Sequence, residues 1–114
     1  MDDKLALRVS QAGMRFIAQM TIYNSGDFER LRKYIEESYH PDMLAQESVE
    51  DRIAIFREQY DRIGKVRIKQ VVGGGKHHVI VVLGTEREEG YLVNEMQVEE
   101  DYPHRIIVFG DVEE

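Results

Sequence analysis

The spacing of apolar residues changes at Gly64, and that change restricts the chain to few architectures. Before it, apolar side chains recur at intervals of three and four, which places them on one stripe of an α-helix. After it they alternate at two, as on a strand with one face against a core. Leu5, Val9, Ala12, Phe16, Met20 and Tyr23 predict a first helix ending near Asn24-Ser25-Gly26. Phe28, Leu31 and Ile35 predict a second, with Ser25 or Asp27 accepting hydrogen bonds from its first free N–H groups and an end before Pro41. His40-Pro41-Asp42-Met43-Leu44 reads as a short helical turn with proline at the first helical position. Ser48 followed by Asp51 resembles a capping box. It opens a long helix with Val49, Ile53, Phe56, Tyr60 and Ile63 on one face and Gly64 as its stop.

In the second half Val66, Ile68, Gln70 and Val72 alternate with Lys65, Arg67, Lys69 and Val71, predicting a first strand. Gly73-Gly74-Gly75 makes a turn, and residues 78–83 form a nearly continuous apolar run. Glu88-Glu89-Gly90 turns again into a strand over 91–99, and Asp101-Tyr102-Pro103 breaks the chain before a last strand over 104–110. Strands joined by such short turns are antiparallel, because parallel strands need helical crossovers. The expectation is one α+β domain over residues 1–114, with N-terminal helices packed on a curved four-stranded antiparallel sheet. The run from Val79 to Val82 is apolar on both faces, which predicts a central strand whose outer face is also covered. A second subunit is the simplest cover, so a homodimer is expected.

Composition narrows the partners. A formal net charge of −7 disfavours nonspecific binding to nucleic acid or anionic lipid, which reward basic surfaces. Lys65, Arg67 and Lys69 alternate with apolar residues and read as the solvated side of a strand, while short runs such as Glu99-Glu100-Asp101 and Glu113-Glu114 read as solubility. Without cysteine, disulfides and thiol catalysis are excluded. No stretch approaches the roughly 18 apolar residues of a membrane span, and the N-terminus lacks the pattern of a signal peptide, so a cytoplasmic location is expected.

The order of elements, helices and then a four-stranded sheet, resembles the nuclear transport factor 2-like superfamily. Tyr23-Asn24-Ser25-Gly26-Asp27, closing the first helix and opening the second, is similar to a junction common in that superfamily. His40-Pro41, the helix from Ser48 to Gly64 and Pro103-His104-Arg105-Ile106 resemble small domains found beside bacterial serine hydrolases and peptidases. The resemblance implies a cone-shaped cavity between the long helix and the concave sheet. That cavity hosts isomerases, dehydratases, polyketide cyclases and noncatalytic binding modules, among which fold alone does not choose.

If Val66, Ile68, Gln70 and Val72 face inward, and likewise Leu92, Asn94, Met96 and Val98, the polar groups in the cavity are Gln70 and Asn94, neither an acid nor a base. Glu95 and Glu99 then face outward unless a bulge or a one-residue slip reverses the strand. Phe16, Tyr60, Gln70, His78, Asn94 and Met96 are therefore the candidate cavity residues. Gln70 and Asn94 would orient a ligand through their amides or else bond each other, backbone or water, and Tyr60 is either a ligand contact or a core tyrosine with a satisfied tip. His78 is a possible general base or an ordinary half-exposed histidine. His77 and His78 point to opposite faces of a strand and cannot share a metal in regular geometry. Gly73-Gly74-Gly75-Lys76 lacks the glycine spacing and following helix of a phosphate loop, and no serine sits in a nucleophile elbow. The expected function is a noncatalytic module without metal or cofactor, which dimerises through its sheet and binds a small apolar ligand or a partner enzyme. The outer patch is expected from Val79, Val81, Leu83, Val93, Ile106 and Val108. The alternative is a small isomerase, dehydratase or cyclase using Tyr60, His78 or a register-shifted Glu95.

Overall fold

A computed structural model describes residues 7–87 and 89–112. Leu5 of the first predicted stripe, Glu88 of the second turn and the Glu113-Glu114 run lie outside the described residues. Helices come first: α1 (Gln11–Ser25), α2 (Phe28–Ser38), α3 (Pro41–Gln46) and α4 (Val49–Ile63). Strands β1 (Val66–Gly74), β2 (His78–Thr85), β3 (Tyr91–Val98) and β4 (Ile106–Asp111) follow, giving an α+β fold. The sheet is an antiparallel meander in the order β1-β2-β3-β4. No helix among the described residues is long and apolar enough to cross a membrane.

Local chemistry accounts for the helix boundaries. Asp27 caps α2 by accepting from the Arg30 N–H, His40 caps α3 through Nδ1 with Pro41 in the first turn, and Ser48 caps α4 by accepting from the Asp51 N–H. Gly26 ends α1 with φ 76°, a left-handed conformation that returns its N–H to the Tyr23 carbonyl. The start of α1 differs from expectation. Ser10 is extended (φ −105°, ψ 138°), accepts from the Gly13 N–H and donates to the Gly75 carbonyl at 2.9 Å, so it starts the helix at Gln11 and ties it to the β1–β2 turn. Val9, predicted on the buried stripe, is consequently 72% exposed.

The helices cover one face of the sheet. Val79, Val81 and Leu83 of β2 and Asn94, Met96 and Val98 of β3 are buried on that face, with Ile106 of β4 beside them. The expected outer patch is thus corrected: Val79, Val81, Leu83 and Ile106 belong to the core. The residues that alternate with them, Ile80, Val82 and Val93, are half-buried on the outer face, with Val108 at 37% exposure. Register shifts in β1 between Ile68 and Gln70 and between Val71 and Gly73, and one in β4 opposite Gln97 and Val98, bend the sheet.

Candidate functional site

The shift after Ile68 determines what β1 offers the interior. Lys69 is the extra residue, so Gln70 pairs with outward-facing Val82 and is exposed, while Val71 takes the inward place opposite Val81 and Val72 is 51% exposed. Gln70 is therefore not a cavity residue, and Val72 is not a core one. His78 is also on the outer face, where its Nε2 lies 2.6 Å from Glu95 Oε2. The alternation of β2 sends His78 outward because its neighbour Val79 is buried. Tyr60 packs edge-on against Tyr23 and Phe28, at 5.4 and 5.6 Å between centroids, in the contact between α2 and α4. Its hydroxyl abuts the Gly26 turn, away from the cavity.

The space between α4 and the sheet is divided in two. An inner recess of about 20 Å³ is lined by Phe16, Gln19, Met20 and Tyr23 from α1, with Val66 and Leu83 from the sheet. An outer vestibule of about 180 Å³ is lined by Tyr39, Glu47, Arg52, Ile55, Gly110 and Asp111. Phe56, Gln59, Asn94 and Phe109 line both. The rings of Phe56 and Phe109 lie 6.0 Å apart and stand between the chambers. Of the candidate cavity residues, Phe16 and Asn94 line this space, and Met96 is completely buried in the core.

Asn94 is 6% exposed, and its Nδ2 donates to Asp111 Oδ1 at 2.7 Å. That bond follows from the cross-strand pairing of the two residues. Arg52, 9% exposed, anchors the opposite wall. Its Nε donates to the Glu47 carbonyl at 2.9 Å, its Nη2 donates to the Met43 carbonyl at 2.8 Å, and its Nη1 is 3.6 Å from Glu47 Oε1. The guanidinium lies 5.2 Å from the centroid of the Tyr39 ring. The Tyr39 hydroxyl donates to buried Gln19 Oε1, and burial raises its pKa well above the ordinary tyrosine value despite the nearby Arg52 charge.

Sequence reasoning missed Arg52, Asp111 and Gln59. Arg52 had a readable signal, since it falls one position before Ile53 and so at the edge of the apolar stripe of α4. Asp111 had none within its own segment, because its place depends on the register of β4 against β3.

Two other features lie apart from this space. A depression of about 610 Å³ runs between Leu7, Val9 and Ser10 and the β1–β2 turn, with Lys76 as its titratable lining residue among the described residues. His77 stacks on His104 at 5.6 Å, the His77 Nε2 is buried without a hydrogen-bond partner among the described residues, and His104 Nδ1 lies 2.9 Å from the Glu99 carbonyl. Among the described residues no three His, Asp or Glu side chains are placed to hold a metal ion. Comparison of the chain with family models, curated proteins and solved structures finds no match.

Proposed function

We propose that the chain is a noncatalytic binding module with a nuclear transport factor 2-like cone, taking a small ligand between α4 and the β3–β4 side of the sheet and dimerising through the sheet's outer face. The observation that carries the reading is the vestibule of about 180 Å³, where the aromatic walls of Phe56 and Phe109 meet the buried Asn94 amide. A mostly apolar wall with a few fixed polar groups is the usual make-up of a small-molecule site. At roughly 30 Å³ per liquid water, the space equals about six waters, so the ligand is of fragment size. Dimerisation is supported by the outer row of Ile80, Val82, Val93 and Val108, which lies outside the hydrophobic core.

An isomerase, dehydratase or cyclase needs an acid or base beside the reacting carbon. The closest His–carboxylate pair, His78 and Glu95, is on the opposite face of the sheet from the cavity. Asp111, hydrogen-bonded to Asn94 at the vestibule mouth, is the acid on which that alternative would depend.

Native mass spectrometry of gently purified protein tests the main reading, because it reports subunit number and retained small molecules together. The expected result is a dimer carrying a defined small extra mass. An empty monomer that also takes up no fragment from a soaked panel would overturn the reading.

A further inference from the structure

We infer that the vestibule selects a ligand with a cationic, hydrogen-bond-donating head, an amine or amidine, on a short apolar body, with the head held by Asp111. This rests on the binding-module reading above and adds the chemical class of the ligand.

The charges of the lining decide the class. Among the described residues of the lining, Glu47 and Asp111 supply two carboxylates against one guanidinium, that of Arg52. Arg52 is a poor anchor for an anion: its Nε and Nη2 donate to the carbonyls of Glu47 and Met43, and its Nη1 has the Glu47 carboxylate 3.6 Å away. A ligand carboxylate approaching the remaining N–H groups would compete with the Glu47 carboxylate and meet Asp111. A cation has the opposite experience. Asp111 uses Oδ1 to accept from Asn94, which fixes the carboxylate and leaves Oδ2 for a donor. The Asn94 Oδ1 accepts no hydrogen bond among the described residues, although the side chain is more than nine-tenths buried and lines both chambers. Donors presented to these two oxygens would meet a fixed carboxylate and an amide oxygen that faces the chamber without a protein donor among the described residues. Behind them Ile55, Phe56 and Phe109 form an apolar wall for the ligand body, and aromatic faces also favour a cation.

The test compares benzylamine, benzyl alcohol and benzoate, which share a ring and differ in the head, by titration followed through backbone and side-chain amide NMR. Wild-type protein is expected to bind benzylamine about tenfold or more tightly than benzyl alcohol, with benzoate weakest and the shifts centred on Asn94, Gln59 and Gly110. Asp111→Asn should remove most of the preference for the amine over benzyl alcohol. Asp111 is exposed at the end of β4, so this variant should keep its fold, and Glu47→Gln offers a second carboxylate change in the same lining. Equal affinity for benzylamine and benzyl alcohol, or a preference for benzoate, overturns the ligand class while the binding-module reading survives. Failure of all three probes to shift vestibule residues overturns both.

Discussion

Gly13 sits where the chain entering α1 passes closest to the helix. A Cβ built there would run into the backbone of Leu7, its carbonyl oxygen included, and backbone cannot rotate away as a side-chain tip can. Gly13→Ala should therefore behave as overpacking, at a cost of about 1–3 kcal/mol despite alanine's better helix propensity. A thermal melt should show the midpoint falling by roughly 4 °C or more; an unchanged or raised midpoint would show that the Leu7 segment is not held against the helix. Legibility at this scale depended on how local the cause was. Asp27 and Ser48 were readable as caps because a cap needs only its own side chain and the next three N–H groups. Gln70 was misplaced because the extra residue at Lys69 exists only in relation to the partner strand. Asp111 was missed for a similar reason: its carboxylate matters through Asn94, its neighbour across the sheet.

Among the elements, α3 depends most on a single side chain. It is six residues long, too short to be stable by itself, and none of its residues is buried. Arg52 on α4 holds it by donating to the carbonyl of Met43 and to that of Glu47 just past its end. Arg52→Leu keeps the apolar contact with Tyr39 but leaves both carbonyls without a donor from α4. A loss of about 2 kcal/mol is expected, from hydrogen bonds that involve a charged donor. The loss should be local. Hydrogen exchange should quicken at the amides of α3 and the first turn of α4, while β2 and β3 retain their protection; uniform quickening across the sheet would place Arg52 in the global core instead. Element type and order were legible, since the change of period at Gly64 separates helices from strands and glycine, proline and cap residues mark most ends. The exceptions were the start of α1, which Ser10 sets through the distant carbonyls of Gly75 and Lys76, and the shifts in β1.

For the molecule as a whole, three buried or half-buried tyrosines from different places tie the helical layer together. Tyr23 donates to the Gly64 carbonyl at the end of α4, Tyr34 to the Arg15 carbonyl in α1, and Tyr39 to Gln19. Burial is the main cause raising the pKa of each above the ordinary value of about 10. The sign follows from linkage. Below about pH 10 these phenols are neutral in folded and unfolded chains alike, and they give stability no pH dependence. Above it the unfolded chain releases their protons while the folded chain retains them, so stability falls as pH rises toward the folded values. For Tyr39, the most completely enclosed, the slope is about 1.4 kcal/mol per pH unit in that window. Alkaline titration should therefore show part of the tyrosinate absorbance appearing late and in step with loss of far-ultraviolet circular dichroism. Complete ionisation while the circular dichroism stays native would mean that the helical layer opens without unfolding, and that Tyr39 and Gln19 do not lock α1 to the segment leading into α3.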